Sequence, residues 1–154
     1  MNVNEFLSRY GAGERYFKDI SLFRAQLTSA NLPGIHLLRA DLFGADLFRS
    51  NLVGAELHRA RLIRANLYCA NLSGASLSES ELMGANLQGV DLSGADLSGA
   101  DLSGADLSGA NLSYADLSRA TLYRTNLTHA NLNEATLDKA NVREMVMPDG
   151  ATHG

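Results

Sequence analysis

A leucine recurs every five residues through most of this chain. The 24 consecutive positions reached by steps of five from Leu22 to Leu137 are all leucine, and Phe17 and Val142 extend the series by one step at each end. Alanine stands two residues before the leucine in 18 of these 24 repeats. Asp or Asn most often stands between the two, and two variable residues follow the leucine. A repeat this short and regular constrains the fold more than any other property of the sequence.

Neither an α-helix nor a continuous β-strand explains the spacing. Apolar positions recur every 3.6 residues in a helix and every two in a strand, whereas here the intervals alternate between two and three residues. An interval of two predicts a short extended segment with both apolar residues on one side, and the odd repeat length requires a corner in every repeat. Glycines such as Gly44 and Gly54 suit these corners because glycine tolerates positive φ. Corners of about 90° close a coil in roughly four repeats, with stacked coils about 4.8 Å apart.

The repeat Ala-(Asp/Asn)-Leu-x-x resembles that of the pentapeptide-repeat family over about residues 15–144. The resemblance implies an all-β fold, a right-handed parallel β-helix (solenoid) of about six four-sided coils. Most members of this family have no assigned activity, and many come from oxygenic phototrophic bacteria. Some members mimic duplex DNA and bind type II topoisomerases, so the resemblance leaves more than one function open.

The first 14 residues depart from the repeat and predict an N-terminal capping helix and turn, residues 1–14. Four apolar residues at helical spacing share one face: Val3, Phe6, Leu7 and Tyr10. Asn2 and Glu5 have the spacing of a capping box, and Gly11 suits the end of a helix. Because an uncovered coil is an open sheet edge, we expect a helix over residues 3–10 to lie across the first coil.

The other end of the predicted β-helix, which spans residues 15–144, is followed by residues 145–154, expected to be a C-terminal cap and loose tail. Three apolar residues open this segment: Met145, Val146 and Met147. They either plug the last coil or join two rods end to end. The sequence therefore leaves open a homodimer through a rod end.

Stacking at offsets of about 20 residues turns the variable residues into vertical ladders on the outside of the rod. Six of them form an apolar stripe, the candidate partner-binding face: Phe23, Phe43, Ile63, Met83, Phe48 and Tyr68. An exposed apolar patch indicates a protein partner, whereas same-face stacking in a sheet explains the pattern without one. The stripe lies in the N-terminal two-thirds of the chain, and this asymmetry is the strongest functional indication in the sequence.

Charged residues are unevenly distributed along the chain. The net charge of −4 is too small to indicate direct nucleic-acid binding. Between residues 65 and 118 there is no Lys or Arg, and seven acids occur: Glu79, Glu81, Asp91, Asp96, Asp101, Asp106 and Asp116. Their density along the rod is comparable to that of B-DNA, which makes a DNA-mimicking inhibitor of a type II topoisomerase (gyrase) the alternative function. The acids are expected on all four faces, and arginines dominate the N-terminal half, which weighs against mimicry.

The chain shows no arrangement that predicts catalysis. Serines recur as outward repeat residues without an adjacent His–acid pair, and His36 and His58 lack further metal ligands. We therefore expect no catalytic residue, no metal, no cofactor and no enzyme activity. A single cysteine, Cys69, rules out an intrachain disulfide and favours a reducing compartment. No signal peptide or membrane span is recognisable, so we expect a cytoplasmic location.

These observations together predict a non-catalytic module. We expect a rigid β-helical scaffold that presents a flat, partly apolar face to another protein of unknown identity. Neither direct nucleic-acid binding nor membrane association is expected. Mimicry of DNA toward gyrase stays the alternative.

Overall fold

A computed structural model describes all 154 residues. One α-helix, α1 (Val3–Gly11), precedes a parallel β-helix that begins at residue 16. Each repeat contributes a single residue to a parallel bridge with the residue 20 positions later, from Tyr16–His36 to Asn126–Val146. Four repeats therefore complete each coil, as the sequence predicted. The right-handed sense of the coil stays a prediction from the family resemblance.

Each corner of the coil is a tight turn closed by a backbone hydrogen bond. The Ala45 N–H donates to the Leu42 carbonyl at 3.0 Å, and Gly44 between them has a φ of 61°, which is the pattern of a type II turn. Positive φ recurs at every fifth residue from 19 to 144, and glycine holds only 10 of these positions against 16 for other residues. The corners were predicted correctly, but most of them are not glycine. A side chain at positive φ costs about 1–2 kcal/mol of strain.

The interior of the coil is filled by the leucine and alanine columns. All repeat leucines from Leu22 to Leu127 are buried, which confirms the predicted core. Leu132 and Leu137 in the last coil are only partly buried, because no further coil covers them. Three polar residues take the place of alanine inside: Ser50, Ser80 and Thr125.

Helix α1 covers the first coil. The Asn2 side chain caps it by accepting from the Glu5 N–H at 2.9 Å. Phe6 is fully buried and packs edge to face on Phe17, with 4.8 Å between ring centroids. The predicted helix over 3–10 is thus confirmed with one more residue at its end. With nine residues, α1 is too short to span a bilayer.

Two side chains show how far α1 reaches across the coil. The Tyr10 hydroxyl donates to the Pro33 carbonyl at 2.7 Å and fixes the end of the helix. Leu7 was expected on the same buried face but is exposed. Because Phe6 already fills the centre of the coil opening, Leu7 lies outside the rim of the core.

The C-terminal segment continues the repeat and then folds back. Met145 is buried and thus plugs part of the last coil. The final residues, expected to be a loose tail, form an antiparallel bridge between Val146 and Thr152. The Met147 N–H donates to the Ala151 carbonyl at 2.7 Å, and His153 N–H donates to the Met145 carbonyl at 2.7 Å. The tail pairs because the last strand offers a free N–H and a free C=O on this face.

Candidate interaction surface

The apolar stripe consists of two ladders on adjacent faces of the rod. The offset of 20 residues places Phe23, Phe43, Ile63 and Met83 in one column. The rings of Phe23 and Phe43 stack with centroids 5.5 Å apart and planes at 11°. On the next face the rings of Phe48 and Tyr68 stack at 5.7 Å and 8°. The structure thus places all six predicted residues in the expected columns.

The side chains of the apolar stripe differ in how much they expose. Phe23 is 51% exposed and Tyr68 is 38% exposed, whereas the other four are half-buried. Stacking between coils accounts for the buried part, since same-face pairs stabilise a sheet. The exposed part lies at Phe23 and Tyr68, one on each face. A role of the stripe in binding stays a prediction.

Arginine side chains lie against the rings of the apolar stripe, which the sequence reasoning missed. The Arg24 guanidinium lies 5.3 Å from the centroid of the Phe23 ring, and Arg49 lies 5.2 Å from that of Phe48. Arg61 lies 4.7 Å from the Phe43 ring. Such cation–π contacts hold both partners in a defined orientation. The signal available in the sequence was the dipeptide Phe-Arg at corners, in which the arginine directly follows the ring.

Ion pairs between successive coils flank the apolar stripe. Arg59 donates to Glu79 at 2.7 Å, and Arg61 lies 3.2 Å from Asp41 and 3.9 Å from Glu81. These pairs confirm the predicted stacking. The Arg59 guanidinium, hydrogen-bonded to Glu79, holds the pKa of that carboxyl below its usual range. All of these groups are exposed to solvent, so water and salt screen each pair and its contribution to stability is small.

The acids of the segment 79–116 lie on all four faces of the rod, as expected. The carboxylate of Asp91 accepts hydrogen bonds from the N–H and the hydroxyl of Ser93, two residues later. Asp116 does the same with the Ser118 N–H at 2.9 Å, and its bonds to Ser118 lower the pKa of the Asp116 carboxyl. These carboxylates therefore also serve as local caps of the corner turns.

Amide ladders link some of the coils, but not along whole columns. The Asn51 side chain donates to Asn31 at 2.8 Å, and Asn131 donates to Asn111 at 3.3 Å. The side-chain oxygen of the intervening Asn71 accepts from the Ser73 N–H of its own turn. The asparagine column is interrupted in the middle, where Asp91 follows Asn71 and has no N–H to donate to it.

The groups that could support other chemistry are dispersed. His58 hydrogen-bonds Ser78 at 2.7 Å, and His36 packs against the Tyr16 ring. No group of three or more His, Cys, Asp or Glu side chains is placed to hold a metal ion. An open cleft of about 510 Å³ lies between the start of α1 and residues 21–26. Phe23 and Arg24 line this cleft, so it adjoins the upper end of the apolar stripe.

A family model described as pentapeptide repeats matches residues 20–47, 40–79, 80–113 and 105–143. No curated protein sequence matches significantly. A solved pentapeptide repeat protein from the thylakoid lumen of Arabidopsis thaliana is 28% identical, with 66% of this chain and 70% of that chain covered and a TM-score of 0.61.

Two further solved structures are similar to the chain. HetL, from the cyanobacterium Nostoc and described as involved in heterocyst differentiation regulation, is 32% identical over 99% of this chain and 100% of that chain, with a TM-score of 0.34. QnrB1, described as a plasmid-mediated fluoroquinolone resistance protein, is 21% identical over 81% of this chain and 70% of that chain, with a TM-score of 0.55. The likeness to QnrB1 concerns the fold alone.

Proposed function

Because the chain belongs to the pentapeptide-repeat family, we propose that it is a non-catalytic interaction module, a rigid β-helix that presents the apolar stripe to another protein. A filled leucine core leaves no interior cavity for a substrate, and the rod is held by backbone bonds between every pair of coils. Rigid surfaces bind with little loss of conformational freedom.

One observation carries the proposal: large aromatic side chains are exposed on the outside of the rod, where they are not part of the buried core. Phe23 and Tyr68 keep substantial exposed area although both stack on a neighbouring ring. Aromatic residues and arginine are the types enriched among residues that dominate binding energy at interfaces. The rings of the stripe and the arginines on them supply that combination.

Affinity capture with a charge-carrying variant tests the proposal. Wild-type protein and the variant Phe23→Asp/Tyr68→Asp are used as baits, and a captured candidate is then purified and titrated calorimetrically. The variant Tyr16→Asp/Tyr114→Asp is the matched control, since both of these exposed rings lie outside the stripe. We expect binding to wild type and control and its loss in the stripe variant. A partner bound equally by all three folded proteins would refute the role of the stripe.

A DNA-mimicking inhibitor of a type II topoisomerase is the second candidate function. The acidic segment and the fold shared with QnrB1 favour it. Against it stand the distribution of the acids over four faces and the local bonds of their carboxylates. A gyrase supercoiling assay decides: absence of inhibition at micromolar protein would remove this candidate.

We also propose that two copies pair through the C-terminal end of the rod. The N–H groups of Leu132, Leu137 and Val142 have no backbone acceptor there, and these side chains are only partly buried. A strand edge beside partly exposed apolar side chains favours association. Light scattering coupled to gel filtration, over a range of concentrations, measures the mass; a monomer at all concentrations would exclude the pairing.

A further inference from the structure

Three arginines beside the apolar stripe have no acidic partner in the chain. The neighbouring Arg39 and Arg59 each donate to a carboxylate at 2.7 Å. By contrast, no carboxylate oxygen lies within 4.0 Å of a guanidinium nitrogen in a second set of arginines: Arg24, Arg49 and Arg64. Their positive charges therefore remain available to a partner.

These three arginines frame one face of the rod. Arg24 and Arg64 occupy the same corner two coils apart, a separation of about 10 Å at the usual strand spacing. Gly44 lies between them, and the stem of Arg24 runs down over it, since a Cβ there would meet Arg24 Cγ at 3.3 Å. Arg49 stands at the next corner, against the Phe48 ring. A ligand across this face would reach guanidinium groups on both sides.

The acid on this face does not neutralise the arginines. The Asp46 carboxylate accepts from the Asn66 amide at 2.9 Å, the Thr28 hydroxyl at 3.0 Å and the Phe48 N–H at 3.1 Å. Its oxygens are therefore already bonded within the face. Residues 20–64 contain six arginines and three acids, so this part of the rod has an excess of positive charge.

The length of the basic region limits what can bind there. Lys and Arg are absent from residue 65 to residue 118, and the first of seven acids in that segment is Glu79, in the coil below Arg59. A long polyanion that followed the rod would meet this negative segment after about three coils, roughly 15 Å. A short acidic segment of a protein fits within the basic region, and its apolar side chains can contact Phe23 and Tyr68.

We infer that the partner contributes a short acidic peptide segment, with apolar residues beside its carboxylates, that docks across the face between Arg24/Arg64 and Arg49. Carboxylates bind guanidinium groups bidentately. The Phe23 ring holds the Arg24 guanidinium in place, and the Phe48 ring does the same for Arg49. This inference rests on the proposed function, since it names the chemistry of the partner of the apolar stripe.

Selection from a random peptide display library on the full chain tests the inference. Recovered peptides are titrated against wild type, the variant Arg24→Glu/Arg49→Glu/Arg64→Glu and the matched control Arg119→Glu/Lys139→Glu/Arg143→Glu, which changes the net charge equally on other surfaces. We expect peptides rich in Asp and Glu, bound at least about tenfold more weakly by the arginine variant and little changed by the control. Their affinity should fall with rising salt.

The other outcomes separate this inference from the proposed function. Peptides that need Phe23 and Tyr68 but lack acidic residues, and bind the arginine variant normally, would overturn the acidic partner and leave the interaction module standing. If no peptide depends on the apolar stripe, both the acidic peptide partner and the proposed role of the stripe in binding are refuted. Tighter binding of a 20-base-pair DNA duplex than of any acidic peptide, lost in the arginine variant, would also overturn it in favour of a nucleic acid.

Discussion

Ser50 is a buried polar residue whose hydroxyl has no hydrogen-bond partner. It stands in an alanine column, 1% exposed, and its Oγ is the only buried side-chain polar atom without a bond. Ser80 and Thr125 also replace alanine, but they donate to the carbonyls of Leu77 at 2.6 Å and Leu102 at 2.8 Å. A buried hydroxyl without a partner costs about 1–3 kcal/mol.

We therefore predict that Ser50→Ala raises the free energy of unfolding by about 1 kcal/mol. The change removes the unpaired hydroxyl and restores the residue that the repeat prefers. Ser80→Ala is the control, and we expect little change because the Leu77 carbonyl keeps its bond from the Ser80-position N–H. Equilibrium urea denaturation measures both. A loss of stability in Ser50→Ala would show that its hydroxyl is satisfied in solution.

Tyr114 is a corner residue whose side chain contributes little. Its φ is 60° and it is 68% exposed. Strain of about 1–2 kcal/mol exceeds the entropy cost of about 0.5–1 kcal/mol that glycine brings, so Tyr114→Gly should raise stability by up to about 1 kcal/mol.

At Gly94, one coil earlier, φ is 65° and a Cβ would meet nothing within 4 Å. Gly94→Ala should therefore lose about 1 kcal/mol in the same denaturation experiment, from strain alone.

The ladders of ion pairs connect neighbouring coils and make their packing sensitive to pH. Arg59 lowers the pKa of the Glu79 carboxyl in the folded protein, and Arg39 lowers that of Asp19 through its hydrogen bonds. A carboxyl with a lowered folded pKa stabilises the fold above its unfolded pKa, about 4.3 for Glu. This contribution is lost as the pH falls through the lower, folded pKa.

We predict that Glu79→Gln destabilises the protein at pH 7, and that the difference from wild type shrinks as the pH falls below about 4. High salt should reduce the difference at neutral pH, because both groups are exposed. Glu134→Gln is the control, since Glu134 forms no ion pair. Thermal unfolding followed by circular dichroism at several pH values measures the effect; a difference that persists at pH 2 would show that packing of the side chain causes it.

The repeat sequence predicted the elements that depend on period alone. The coil, the leucine columns, the stacked rings and the Arg59–Glu79 pair all follow from an offset of 20 residues. The arginines on the rings were not predicted, because the contact of Arg24 with Phe23 depends on rotamers at a corner rather than on register. The tail was missed for another reason: residues 151–153 lie outside the repeat, and only the free edge of the last coil shows why they pair.

The two ends of the rod are protected to different extents. Helix α1 lies across the first coil, with Phe6 in its centre. At the other end the tail pairs with one face only, and the other three keep free N–H groups. Association of whole molecules should therefore involve the C-terminal end.

We predict that deletion of residues 148–154 strengthens this association, because it exposes the edge at Met145–Met147 on the fourth face. Sedimentation velocity at several concentrations compares the truncated and full-length proteins. The expected result is a larger species at lower concentration. An unchanged distribution would mean that the tail does not shield the end. His153→Pro is a milder variant that keeps the chain length and removes the N–H that donates to the Met145 carbonyl.

The 20-residue offset also determines how such a protein can change during evolution. Since four repeats make one full turn, insertion of a single pentapeptide rotates everything beyond it by about a quarter-turn while it advances the rod by only about 1.2 Å. Duplication of a whole coil preserves every direction and adds only about 4.8 Å of reach. The angle between the arginine-framed face and the acidic segment, and the distance between them, are therefore adjustable separately, by copying five residues or twenty.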